Sequence, residues 1–229
     1  MAHNSKAIIG REGLDALIAA LAERGYDVLG PVSRDGAIGY ERIDGAADLP
    51  AGWGDEQEGG HYRLRRRDDD ALFGYTAGRE SWKRFLHTPF QKLWRAERTN
   101  GELKVIPVET APPRQAFIGV RACELNAIRI QDRVLIDNTY ADPHYRARRE
   151  NTLIVAVNCG EAGGTCFCAS MGMGPRAETG FDLVLTELLG DGRHEFLVEA
   201  GSKDGVALLA ELQPREATSN DVAAADAAT

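Results

Sequence analysis

The chain has 229 residues, is 43% hydrophobic and 27% charged, and carries a formal net charge of −8. That balance suits a folded globular chain with one large domain, or one domain and a small appendage. The acidic excess argues against sequence-independent nucleic-acid binding. The longest apolar run, Leu153 to Val157, is far short of the roughly 20 residues of a membrane helix.

No basic segment followed by an apolar one opens the chain, so a cytoplasmic location with reduced thiols is expected. Leu14, Leu17, Ile18 and Leu21 recur at helical spacing and predict a first amphipathic helix ending near Gly25. Tyr26 to Leu29 reads as a strand stopped by Gly30-Pro31. Between residues 33 and 80, short pieces such as Ile38 to Ile43 and Leu72 to Tyr75 predict an antiparallel meander. Within it, the run Arg63 to Asp70 has positive and negative halves that nearly cancel, as on a solvated hairpin edge.

Trp82, Phe85, Phe90, Leu93 and Trp94 predict a helix or packed loop whose aromatic stripe belongs to the core. Lys104 to Val108 reads as a strand, and Pro112-Pro113 marks a break. Phe117 to Val120 then reads as a buried strand, followed by a helical stretch through Leu125, Ile128 and Val134 to Ile136. After Pro143 comes a basic helical segment, and Thr152 to Val157 is an apolar strand without alternation. Strand, helix and strand in that span have the length of a βαβ unit. Two further strands, Phe181 to Leu188 and Glu195 to Val198, flank the turn Gly190-Asp191-Gly192. A helix over Gly205 to Leu212 follows, and Ser219 or Asn220 is the predicted N-cap of another. The fold class read from this pattern is mixed α/β. An N-terminal helix and meander (residues 1–110) precede a cysteine-containing core (residues 111–214), the two forming one compact domain.

All four cysteines fall in this core: Cys123 alone, then Cys159, Cys166 and Cys168 in a glycine-rich C-x6-C-x-C loop. If the strands before Cys123 and Cys159 are parallel neighbours, both thiols emerge at one carboxyl edge, where open α/β sheets place ligands. Cys123 would lie at a helix start, a position that favours thiolate. Gly160, Gly163 and Gly164 would let the loop turn tightly and aim N–H groups at sulfur. Four thiolates suit a 4Fe-4S cluster or a tetrahedral zinc, and the spacing alone does not choose between them. Buried cysteines acting as small hydrophobes are the plain alternative. A bare Cys166–Cys168 dithiol is disfavoured, because alternate residues of an extended strand face opposite ways.

Other groups carry less. His3, His61, His87, His144 and His194 are scattered, and no phosphate-binding loop or nucleophile elbow is present. Arg121 either stabilises a negative cluster or thiolate, or forms an ordinary salt bridge. Arg146, Arg148 and Arg149 suit a solvated helix face, or docking of an acidic partner. Glu124 and Glu161 flank cysteines without acid–base pairing in the sequence.

Four segments together form a signature: Phe117 to Asn126; Tyr140 to Pro143 with Arg148 to Thr152; Asn158 to Pro175; and Gly180 to Leu183. They resemble the 4Fe-4S dicluster-domain proteins, a family that includes the beta subunits of sulfhydrogenases and the related iron–sulfur subunits of anaerobic sulfite reductases. The likeness is strong over residues 117 to 200. It implies a non-catalytic electron-transfer subunit, working between a flavin- and pyridine-nucleotide-binding partner and a catalytic oxidoreductase subunit. It also implies Cys123, Cys159, Cys166 and Cys168 as ligands of one 4Fe-4S cluster, with zinc as the alternative. The family's C-x2-C-x2-C-x3-C-P runs are absent from this sequence, so residues 215–229 read as a helix or linker toward an absent ferredoxin-type domain. A structural or interaction domain is the competing reading. A stand-alone redox enzyme ranks last, for want of a substrate motif.

Overall fold

The computed structural model describes residues 6–76, 78, 80–108, 111–190 and 192–229. His3 and Asp191 lie outside them. One eight-stranded mixed sheet organises the chain. In sequence order its strands are β1 (Lys6–Gly10), β2 (Asp27–Arg34), β3 (Ala37–Arg42), β8 (Gln115–Val120), β9 (Thr152–Val157), β10 (Leu183–Gly190), β11 (Arg193–Ala200) and β12 (Arg215–Glu216). Two separate hairpins, β4 (Trp53–Glu58) with β5 (His61–Arg66) and β6 (Trp94–Thr99) with β7 (Glu102–Pro107), account for the numbers between. Across the sheet the order is β12-β1-β11-β10-β9-β8-β2-β3, and β10, β9, β8 and β2 run parallel.

The central strands β8 and β9 are buried along their whole length, as an apolar run without alternation requires. Their side chains divide between two faces. Ala116, Ile118, Val155 and Val157 pack beneath α1 (Arg11–Glu23) and α5 (Lys203–Glu211). Phe117, Ile154 and Ala156 face the opposite cluster, with Leu125 and Ile128 of α3 (Ala122–Leu135) and Tyr145 of α4 (Pro143–Glu150). Gly119 interrupts this alternation. It lies at an irregularity in the β8–β9 register with φ +89°, a conformation in which glycine is unstrained, and it brings Val120 into the same cluster as Phe117.

Several elements differ from the sequence reading. The mixed α/β class and the parallel β8–α3–α4–β9 unit hold, but a strand, β1, precedes the first helix. The supposed meander is two hairpins in different sheets, and Leu72 to Tyr75 is a buried irregular segment. β2 runs through Gly30-Pro31 because Pro31 sits opposite Tyr40, whose own N–H bonds Glu80 rather than β2. The missing N–H of Pro31 therefore costs no rung, since pairing with β8 has already ended at Leu29. The aromatic stripe splits: Trp82 is buried, stacked on Phe117 at 4.6 Å, whereas Phe90, Leu93 and Trp94 are exposed.

The edges of the large sheet are short or occupied. β12 has two residues, both charged. On β3 the outward Ile38 N–H bonds the Tyr62 hydroxyl, and Tyr40 N–H bonds the Glu80 carboxylate.

The last helix, α6 (Ser219–Ala227), is capped by Thr218, one residue before the predicted cap. It lies on the sheet through Ala225, which clusters with Ile8, Leu188 and Leu197. Asp221, its side chain 6% exposed, accepts from Arg193 and Arg215 and from Thr218. Arg215, then the Thr218 bonds, hold its carboxyl well below the usual range. A depressed pKa contributes stability above the unfolded-state value near 3.9, and the contribution is lost as pH falls toward the folded value. Asp221→Asn is therefore expected to destabilise the fold at pH 7 and progressively less below pH 4. Denaturation midpoints of both proteins across that range check it; a pH-independent difference would exclude the carboxylate as the cause.

Candidate metal centre

β8 ends at Val120 and α3 begins at Ala122, so Cys123 stands in the first turn of the helix. β9 ends at Val157, and Cys159 follows two residues later. Because β8 and β9 are parallel neighbours, both thiols emerge at the same edge. The loop after Cys159 returns Cys166 and Cys168 to it. All four cysteines, which are free thiols, line one cleft of about 580 Å³. Ala127, Ile130, Phe167, Met171 and Met173 give that cleft an apolar wall.

The segment around Cys166 and Cys168 is turned, not extended. Cys166 N–H bonds the Gly163 carbonyl, and the Cys168 carbonyl accepts from Met171 and Met173. This turn is why the two thiols share one cleft, contrary to the alternation of a strand. Gly163 N–H donates to Cys166 Sγ at 3.3 Å, a bond of the kind expected from the glycine-rich loop. None of Gly160, Gly163 and Gly164 takes a positive φ, however. What the structure requires at Gly164 is proximity: a Cβ there would lie 2.2 Å from the Gln57 carbonyl oxygen.

The β4–β5 hairpin grips this loop. Glu161 accepts from both Arg65 and Arg67, and Thr165 donates to Gln57 Oε1 at 2.7 Å. Two members of the charge run thus hold the cysteine loop, although the run itself lies on an exposed hairpin as read. Arg67 is also paired with Asp69. Gln57 and Thr76, a further pair of cleft-lining residues, carry no mark in the sequence that ties them to the cysteines.

Burial governs the thiols. It pushes Cys123 up to about 12, with Glu124 adding to the effect, so the helix start does not make this cysteine a thiolate by itself. Burial also raises Cys159, against the opposing pull of Arg121. A cation or metal beside either thiol would favour its deprotonation against this burial. Glu124 is raised by burial as well; its oxygens accept from Arg121 N–H at 2.9 Å and Tyr40 Oη at 2.6 Å.

The other candidates resolve into structural roles. Arg146 bonds the Ile136 carbonyl, Arg148 bonds Gln91, and Arg149 pairs with Asp132, so these arginines hold α3, α4 and the neighbouring loop together. His194 pairs with Glu187, whose carboxylate also accepts from Leu72 and Phe73 N–H. Among the described residues, no three His, Cys, Asp or Glu side chains are grouped to hold a single metal ion. No helix among them is long and apolar enough to cross a membrane.

No family model matches the chain. Over 89 residues, 39% of its length, the chain is 40% identical to sulfhydrogenase 2 subunit beta of Pyrococcus furiosus. The matched stretch is 25% of that relative, so the chain spans about a quarter of it. Part of this sequence is thus related to a hydrogenase subunit.

Proposed function

We propose that the chain is an electron-transfer domain that holds one 4Fe-4S cluster through Cys123, Cys159, Cys166 and Cys168. It would serve a multi-subunit cytoplasmic oxidoreductase of hydrogenase type. The observation that carries this reading is the meeting of four free thiols, from two strand ends and one loop, in a single cleft. An all-sulfur donor set suits iron–sulfur or zinc chemistry. The preference for the cluster over zinc rests on the partial similarity to the sulfhydrogenase subunit and on the sequence signature around the cysteines. When bound, the cluster would supply one-electron transfer.

The chain's own residues give that chemistry its setting. Apolar side chains line one side of the cleft, and the Gly163 N–H steadies Cys166. Residues 111–214 supply the ligands, and strands from residues 1–110 complete the same sheet, so we treat them as one cluster-bearing unit. The hydrogenase context rests on the partial similarity to the sulfhydrogenase protein. In that setting the partners would be a flavin- and pyridine-nucleotide-binding subunit on one side and a catalytic subunit on the other.

The test is iron, acid-labile sulfide and zinc content of anaerobically purified and reconstituted protein, with electron paramagnetic resonance after reduction. About four irons and four sulfides per chain, with a reduced-cluster signal, are expected. Zinc, or no metal after reconstitution, would overturn the reading and leave the cleft a scaffold.

A further inference from the structure

Arg121 stands directly between β8 and α3, two residues before Cys123, and its side chain enters the cleft lining. It is 1% exposed. The guanidinium donates to three backbone carbonyls: Phe73 at 2.7 Å, Tyr75 at 2.8 Å and Asn158 at 3.1 Å. Its Nε, also buried, has no partner.

No carboxylate forms an ion pair with this guanidinium among the described residues, so the salt-bridge alternative read from the sequence does not hold. Glu124, the nearest acidic residue in sequence, has its oxygens engaged by Arg121's backbone N–H and the Tyr40 hydroxyl. A buried cation without an ion-paired anion is costly; the three carbonyls and the Tyr75 ring, its centroid 5.0 Å from the guanidinium carbon, solvate the charge but do not neutralise it. The charge therefore calls for an anion inside the cleft. Asn158, whose carbonyl Arg121 holds, is the residue before Cys159. Four thiolates around an iron–sulfur core make a net-negative group, and charge and hydrogen bonding near the sulfurs set its reduction potential.

Resting on the cluster reading above, we propose that Arg121 is the counter-cation of the cysteine cleft. This positioning residue holds the anionic cluster in place and raises its reduction potential. The guanidinium lowers the electrostatic cost of adding one electron, which comes from a low-potential donor, dithionite in the test. No protein bond forms or breaks, and Arg121 keeps its protons throughout.

Potentiometric titration of the reconstituted protein, followed by electron paramagnetic resonance, tests this. Arg121→Gln is expected to lower the one-electron reduction equilibrium about tenfold, a negative midpoint shift of about 59 mV. Arg121→Lys, which restores charge but not the fork geometry, should recover most of that shift. A role confined to tying three carbonyls would give both variants the same midpoint as the wild type. Should Arg121→Gln fail to fold, the wild-type protein still decides. Grown with 15N-arginine and reduced, it should show nitrogen coupling to the cluster spin in pulsed resonance, and the coupling should vanish in Arg121→Lys. A cluster with an unshifted midpoint, or without 15N coupling, overturns the role of Arg121 alone. Absence of iron from the wild type overturns the cluster reading and this inference together.

Discussion

Cys123→Ser, Cys159→Ser and Cys168→Ser are each expected to lower iron retention at least tenfold, and Cys166→Ser to bleach the protein less completely. The difference follows from exposure. Cys166 is the exposed member of the set and is held by a single N–H···S bond, so water or the serine hydroxyl can take its place. The other three are partly buried, and burial raises Cys123 and Cys159, so a bound metal gains by compensating their ionisation. The unloaded fold should barely register these changes, because a half-buried thiol contributes little packing. Unfolding free energies of the metal-free proteins are therefore expected within about 1 kcal/mol of one another. Iron content against circular dichroism separates the two effects. An unchanged iron content in any one variant would remove that cysteine from the ligand set.

A single methyl group at residue 164 should be nearly as damaging to iron binding as a lost thiol. A Cβ on Gly164 would stand 2.2 Å from the Gln57 carbonyl oxygen, well inside any permitted contact. That oxygen belongs to β4, which is fixed to β5 by a full antiparallel ladder, so it cannot retreat easily. The loop has to lift instead, straining the Thr165–Gln57 bond and the Glu161 contacts that seat it. Overpacking of this kind costs about 1–3 kcal/mol when it falls in a core. Here the displaced segment is a surface loop, so the expected loss is in site geometry more than in stability. Gly164→Ala should keep a wild-type unfolding curve and retain less than about a tenth of the iron, since misplacement of a ligand by an ångström suffices to lose a site. Full loading of this variant would show that the hairpin does not position the loop.

The parts of the fold legible in the sequence were those governed by local periodicity. Leu14, Leu17, Ile18 and Leu21 are all fully buried in α1, and the apolar runs at Phe117 and Thr152 are the adjacent parallel strands of the βαβ unit. The shared edge for Cys123 and Cys159 followed from that unit alone. What escaped reading depends on contacts between distant segments. β1 is a short apolar piece whose partners, Glu195 to Glu199, come far along the chain. The pairing of Glu161 with Arg65 and Arg67 joins an unremarkable acid to two members of a charge run that looked self-neutralising. Only the tertiary structure relates them. Arg121 is the intermediate case: its neighbourhood to Cys123 drew notice, but the lack of an ion pair at its guanidinium is a property of packing.

The treatment of the main sheet's borders bears on how this molecule meets others. An open strand edge invites another chain to extend the sheet, whether as a functional complex or as an aggregate. At one border β12 offers two charged residues and no length for a guest strand to follow. At the other, Tyr62 and Glu80 already occupy two of the outward donors of β3. Neither border of the eight-stranded sheet therefore offers a long bare ladder to a guest strand, and contact at these two borders falls to side chains.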